Sequence, residues 1–231
     1  MTIIAASGFA GSGKTELSRY LVKKHGFTAL SFADGVKDAV AAVFDWPRDR
    51  VAGTTAEDRV WREQPDPFWS TRMSKDVTPR WALQFLGTNL IRNQLFEGMW
   101  AERVAHIIEH APADAKLVID DLRFQNERTV LAKAGADFVI VTRPQVLAAD
   151  DRYQSIWDYY MVRPEAGREA MDARVAFAFD NLHQSEYDWL GGGAVQQTAL
   201  LHNNGTQIET WHNAIEHWYQ ENYPTNFTGN I

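Results

Sequence analysis

Apolar and polar positions along the chain fall into blocks that change period. Ile3 to Ala6 form a short apolar run, a glycine-rich turn follows, and Leu17, Leu21 and Val22 then recur at helical spacing as far as Gly26. That order predicts strand, loop and helix. Phe27 to Phe32 predicts a second strand, and Val36, Ala39, Val40, Val43 and Phe44 mark the apolar stripe of an amphipathic helix. From Asp45 to Val77 charge, proline and tryptophan replace any clear period. This stretch predicts a long irregular segment or a small helical insertion.

Thr78 before Pro79 is an N-cap and first-turn pair, opening a helix through Leu83, Leu86, Leu90 and Ile91 with a break at Gly98. Met99 to His110 predicts another helix, and Leu117 to Ile119 a short buried strand ending in Asp120 and Asp121. A helix from about Gln125 to Ala134 closes on Gly135, and Phe138 to Val141 supplies the next strand, stopped by Arg143 and Pro144. Residues 145–182 carry a weakly helical pattern of Tyr, Trp, Arg and Asp, read as a lid-like insertion. Leu200 and Leu201, an Asn203-Asn204-Gly205 turn and an amphipathic helix around Ile208, Trp211, Ile215 and Trp218 end the fold, and the polar tail after Tyr223 is expected to be loose. Strands alternating with helices predict an α/β architecture.

The length of 231 residues fits one domain with insertions, at roughly 100 to 200 residues per domain. With 45% hydrophobic and 12% aromatic residues the chain can bury a sizeable core, which excludes general disorder. The net charge of −7 argues against a protein that coats a polyanion, so a nucleic-acid partner is not expected. The absence of cysteine excludes disulfides and thiolate metal sites. Met1 to Ala6 lacks a basic signal-like start, and no apolar run is long enough to span a bilayer. A soluble, cytoplasmic protein without a membrane partner is the expectation.

Gly8-Phe9-Ala10-Gly11-Ser12-Gly13-Lys14-Thr15 fits G-x-x-x-x-G-K-[ST] and lies between a predicted strand and a predicted helix. In such a loop, backbone amides and the helix N-terminus cradle phosphates, the lysine reaches the β- and γ-phosphates, and the Thr hydroxyl serves Mg²⁺. Gly8, Ala10, Gly11, Ser12, Gly13, Lys14, Thr15 and the adjoining Glu16 are therefore the candidate ATP-binding residues. A carboxylate at the end of a neighbouring strand should organise the metal, and Asp120-Asp121 supplies it. Phosphoryl transfer to a phosphate needs no general base, so cations around the acceptor are the groups to seek. Lys37, Arg62, Arg80 and Arg123 are the candidates. Arg62 also reads as a solvated side chain in a charged stretch, whereas Arg80 in a helix's first turn, where the dipole disfavours a cation, points to an anionic partner. The seven histidines show no H-E-x-x-H spacing, and zinc is not expected. Trp69, Trp81 and Trp100 adjoin the acceptor segment, where packing competes with base stacking.

Several of these segments together resemble the bacteriophage deoxynucleoside monophosphate kinases, a branch of the P-loop nucleotide kinases. They are the P-loop, Phe32-Ala33-Asp34-Gly35-Val36-Lys37-Asp38-Ala39, Arg80 with Leu83-Gln84-Phe85-Leu86-Gly87-Thr88, and Trp100. Asp121-Leu122-Arg123 with Glu127, Arg143-Pro144, His183-Gln184-Ser185-Glu186 and the terminal Asn-Asn-Gly turn with its helix complete the set. The resemblance implies a P-loop NTPase three-layer sandwich with a parallel five-stranded sheet; the chain departs from the family at 45–77, read as an acceptor-side insertion, and at 145–182, longer than in the family and read as a lid-like insertion.

It also implies transfer of the γ-phosphoryl of MgATP to a deoxynucleoside monophosphate, with Mg²⁺ as cofactor, in a host cytoplasm supplied with DNA precursors. Lys37 and Arg80 would hold the acceptor phosphate, Lys14 would bridge donor and transition state, and Thr15 with Asp121 would serve the metal. Arg123 and Glu127 look like acceptor-site residues, Gln84, Gly87 and Thr88 would shape the base pocket, and Asp38 would orient Lys37 or be an ordinary exposed residue. Lys14, Arg80, Asp121 and Arg123 form the catalytic set, with Arg62 and Trp100 counted on the substrate side. The lid arginines are sought at Arg163, Arg168 and Arg174. Two other readings stay open: a P-loop kinase acting on a modified base in DNA, and an ATPase switch acting on a partner. The sequence also leaves a homodimer open.

Overall fold

The computed structural model describes residues 1–162, 172–191 and 198–224. They gather into two compact units, Met1–Leu30 with Ala111–Ile231, and Ser31–His110. The first unit opens with β1 (Thr2–Ser7), α1 (Lys14–His25) and β2 (Thr28–Ala29). The second holds α2 (Asp34–Phe44), α3 (Arg48–Ala52), α4 (Ala56–Arg62), α5 (Pro67–Met73), α6 (Pro79–Gln84), a π-helix over Phe85–Leu95, and α7 (Met99–Glu109). The chain then completes the first unit with β3 (Lys116–Ile119), α8 (Gln125–Lys133), β4 (Asp137–Thr142), α9 (Pro144–Ala149), α10 (Asp151–Val162), α11 (Ala173–Asn181), β5 (Ala199–His202) and α12 (Ile208–Asn222).

In the first unit five strands lie in the order β2-β3-β1-β4-β5, all parallel. Ala5 sits opposite Ile119 on one side and Phe138 on the other, so β1 is central. A parallel sheet must be covered on both faces, which is why its strands are almost wholly apolar. Ile4, Ala6, Val118, Val139, Val141 and Leu201 face Leu17 and Leu21 of α1 and Trp211 and Ile215 of α12. Ile140, one residue out of phase, instead joins Ile156 and Tyr159 of α10 and Val175 and Phe179 of α11. A slip of one residue would exchange these two sets, so the two cores fix the register. Helices on both faces of this sheet make the α/β P-loop NTPase sandwich that the sequence implied.

The second unit is helical, built around Val36, Val40, Trp46, Val51, Val77, Ala82 and Trp100. Its segment 45–77, read as irregular or as a small helical insertion, is three short helices. Two carry their own caps: Thr55 accepts from the Asp58 amide, and Asp66 ahead of Pro67 accepts from the Trp69 amide. Thr78 likewise accepts from the Trp81 amide at 3.0 Å, as its placement before Pro79 predicted. The helix expected through Leu83, Leu86, Leu90 and Ile91 differs: after Gln84 it widens into π turns. Wider turns bring Leu86 and Ile91, five apart, to the same core and leave Leu90 exposed. β2 is shorter than the expected Phe27 to Phe32 run because it pairs only with β3 at the sheet's edge, with Phe27 and Phe32 buried on either side of it. Among the described residues no helix is long and apolar enough to cross a membrane.

Candidate active site

The P-loop leaves the C-terminal end of central β1, between the ends of β3 and β4. Gly8 has φ 145, and a β-carbon there would run into the Val141 carbonyl of β4, so the tight exit from the strand needs glycine. Gly13, at φ 112, caps α1, and a β-carbon on it would lie 2.7 Å from Asn203 Nδ2 and 3.1 Å from Trp211 Nε1. Asn203 is buried, and its Nδ2 donates to the Ser12 carbonyl at 2.9 Å. The Asn203 amide in turn donates to the Thr142 carbonyl at 2.8 Å. The turn after β5 thus braces the loop, a role that its sequence position alone did not reveal. Ser12 is buried, while Ala10, Gly11 and Thr15 are exposed at the rim.

Lys14 Nζ donates to the carbonyls of Gly8 at 2.7 Å and Phe9 at 3.0 Å. Burial, followed by the neighbouring Arg123 guanidinium, lowers its pKa to about 8, while Glu186, Asp120 and Asp121 pull the other way. Lys14, Arg123, Glu186, Asp120 and Asp121 therefore share one electrostatic neighbourhood. Arg123 Nη1 lies 3.4 Å from Ser185 Oγ and 3.8 Å from Glu186 Oε1. Glu186 also accepts from the Tyr153 hydroxyl at 3.4 Å, and Tyr153 stacks on Phe9 of the P-loop with ring centroids 4.5 Å apart. Burial, then Glu186, raises the Tyr153 pKa. Nothing in the local sequence marks Glu186 or Tyr153, because their partners lie far away along the chain.

Glu127 is buried, and its Oε2 accepts from the amides of Arg123 at 2.9 Å and Phe124 at 3.1 Å. It shapes the backbone that carries Arg123, at the N-terminus of α8. Glu16 faces α12, with His212 Nε2 2.8 Å and Arg19 3.5 Å from its carboxylate. Asp121 is half-buried where β3 ends. Arg174 pairs with Asp158 at 3.9 Å, whereas Arg163, Arg168 and the tail from residue 225 lie outside the described residues.

In the second unit Lys37 Nζ lies 3.6 Å from Asp34, not beside Asp38. Asp38 pairs with Arg48 at 2.5 Å and Arg103 at 3.6 Å, so the neighbour that orients Lys37 is Asp34, one helical turn back. Arg62 Nη1 donates to the carbonyls of Val51 at 3.5 Å and Ala52 at 3.2 Å, which ties this side chain to the end of α3. Burial and then Arg80 lower the Arg62 pKa. Arg80, exposed, pairs with Glu63 at 3.3 Å. Trp100 is buried and its indole donates to the Gly87 carbonyl at 3.0 Å, so it positions the turn instead of offering a free stacking face. Gln84 and Thr88 are exposed on either side of buried Gly87.

No family model matches the chain. A protein of Acanthamoeba polyphaga mimivirus, described as a "Putative deoxynucleotide monophosphate kinase", is 33% identical over 165 residues, covering 67% of this chain and 80% of that protein. Among solved structures, a sugar kinase from Janibacter sp. HTCC2649 gives a TM-score of 0.41 at 15% identity over 95% of this chain and 93% of the other. Dephospho-CoA kinase from Campylobacter jejuni gives 0.39 at 13% identity over 95% and 96%. The fold rests on strand order and phosphate loop, and these distant likenesses add nothing to it. The relative that carries the kinship is viral but not from a phage. By its identity to that relative, the chain belongs to the deoxynucleotide monophosphate kinases and is a nucleotide kinase.

Proposed function

We propose that the protein transfers the γ-phosphoryl group of MgATP to the 5′-phosphate of a deoxynucleoside monophosphate, giving ADP and the deoxynucleoside diphosphate for DNA synthesis. The observation that carries this reading is the placement of Lys14, inside a P-loop and among Arg123, Asp120, Asp121 and Glu186, in a chain of this family. An oxygen of the acceptor phosphate attacks the γ-phosphorus while the bond to the β–γ bridging oxygen breaks, and ADP leaves with that electron pair. The attacking oxygen is already ionised, so no proton has to be removed and catalysis is positioning and charge neutralisation.

Lys14 and the amides of the loop neutralise charge on the β- and γ-phosphates, and Arg123 adds a second cation as charge builds on the equatorial oxygens. Thr15 and Asp121, with Asp120 beside it, offer only oxygen donors, a set suited to a hard cation such as Mg²⁺. When bound, that ion would screen the phosphate oxygens and orient them. Lys37 and Arg80 are assigned to the acceptor phosphate, Gln84, Gly87 and Thr88 to its base, and Arg62 and Trp100 to supporting roles.

ADP formation from MgATP, measured with each deoxynucleoside monophosphate, with a DNA oligonucleotide and without acceptor, tests the reading. Turnover that requires one or more monophosphates supports it and names the base. Turnover that requires DNA, or that is equal without acceptor, refutes it.

A further inference from the structure

We propose that His106, Glu109 and His110, at the C-terminal end of α7, form a binding site for a divalent transition-metal ion of the Zn²⁺ class. The sequence His106-Ile107-Ile108-Glu109-His110 places the three polar residues at i, i+3 and i+4, which is one face of a helix. It lacks the H-E-x-x-H order, yet keeps the same four-residue interval between its histidines with the glutamate one place before the second. The expectation of no zinc rested on the absence of the H-E-x-x-H order; a helix face requires only the interval.

In the structure all three side chains are exposed, and one ligand atom from each lies within 4.8 Å of the others. The two imidazole rings are 4.2 Å apart between centroids. His110 Nδ1 is 2.8 Å from the His106 carbonyl oxygen. A carbonyl only accepts, so this nitrogen carries the proton and the lone pair of His110 is placed on Nε2. An imidazole whose second nitrogen donates to a backbone carbonyl is the usual arrangement of a metal-bound histidine, because that bond fixes tautomer and ring direction together.

The position adds an electrostatic argument. His110 caps the helix and His106 stands in its last turn, where the C-terminal carbonyls present the negative end of the helix dipole. A cation bound there is favoured. The other five histidines are engaged differently: His25 and His212 with Glu216 and Glu16, His202 with Thr142, His183 with Ser185 and His217 with Glu221. Two nitrogens and a carboxylate oxygen suit Zn²⁺, Ni²⁺ or Co²⁺ and not Mg²⁺, which takes oxygen ligands. Three protein ligands leave a coordination position for water. This site is independent of the proposed phosphoryl transfer.

The test is calorimetric titration of the tag-free full chain with Zn²⁺, and optical titration with Co²⁺, in excess Mg²⁺. One equivalent should bind, with saturation at about 0.1 mM metal or less. His106→Ala and His110→Ala should each weaken binding by about tenfold or more, while His217→Ala leaves it unchanged. In ¹⁵N spectra the Zn²⁺-induced shift of His110 should fall on Nε2 with Nδ1 still protonated. Absence of saturable binding, or equal binding by the His106→Ala/His110→Ala double variant, overturns the proposal. Because all three residues are exposed, both variants should keep the melting temperature of the metal-free wild type, which separates loss of the site from loss of the fold.

Discussion

Glu127→Ala removes a buried carboxylate that holds the backbone of the candidate active site. One oxygen of Glu127 accepts from two consecutive amides, those of Arg123 at 2.9 Å and Phe124 at 3.1 Å, and the residue is 2% exposed. Hydrogen bonds to a charged group contribute about 1.5–3 kcal/mol each, and partial access of water to the freed amides reduces the sum to roughly 3 kcal/mol. For a chain of this size that loss lowers Tm by roughly 6–12 °C. Glu127→Gln keeps an acceptor oxygen but not the charge, and should recover about half of the loss. Thermal unfolding gives the global effect, and hydrogen exchange at the Arg123 and Phe124 amides gives the local one. Loosening this backbone also frees Arg123, so kcat should fall in Glu127→Ala and recover in step with stability in Glu127→Gln. An alanine variant that melts within about 2 °C of wild type, with unchanged protection of both amides, would refute the argument.

Other substitutions probe the phosphate loop and the acceptor side. Lys14→Met should lower kcat by about 10²–10³-fold with the fold intact. The Lys14 ammonium is depressed from 10.5 to about 8, so between these values the unfolded chain holds more protons and this group's contribution to stability rises with pH. Its cost to the fold is fully present below about pH 8. Bound phosphates restore the charge, so ATP binding at about pH 9 should take up a proton, seen as a buffer-dependent binding enthalpy that Lys14→Met abolishes. Gly13→Ala puts a side chain at φ 112 and 2.7 Å from Asn203 Nδ2. The strain of about 1–3 kcal/mol should appear as weaker ATP binding, and full ATP affinity would sink the bracing role of Asn203. Arg80→Ala should raise KM for the acceptor by about tenfold or more with little change for ATP; equal loss for both substrates would remove Arg80 from the acceptor site.

The elements that the sequence made legible are those in which local chemistry and tertiary packing agree. β1, α1, β3, α8, β4, β5 and α12 each carry an apolar run of the right period, and three of them end on a glycine: β1 on Gly8, α1 on Gly26 and α8 on Gly135, all at positive φ. The π turns after Gln84 were not legible, since Leu86, Leu90 and Ile91 fit a 3.6-residue period as well as a wider one. Only the packed core, which takes Leu86 and Ile91 and leaves Leu90 exposed, decides between them. The helices of 45–77 were hidden for the opposite reason. They are one or two turns long, too short to show a period, and are held by caps and tryptophan contacts such as Trp69 on the Phe44 carbonyl.

The site divides along the same line. A P-loop is legible because its function is written in consecutive backbone positions, and Asp120 and Asp121 after β3 are legible because strand ends in such a sheet meet its rim. Glu186, Tyr153 and Asn203 are not, because each reaches the loop from a distant part of the sequence. Tyr153 stands on Phe9, Glu186 joins Tyr153 to Arg123, and Asn203 holds the Ser12 carbonyl. Phe9 is one of the four positions of the phosphate-loop pattern where any residue is allowed, yet here its ring also meets Trp189 edge-on at 5.3 Å. The loop's conformation is thereby coupled to α10 and to the turn bearing Glu186. Phe9→Ala should consequently disturb Arg123 and Lys14 together, although neither touches the phenyl ring in sequence, and Phe9→Leu should preserve more of the ATP affinity than Phe9→Ala. Equal behaviour of the two variants would mean that the motif's free position is free in this protein as well.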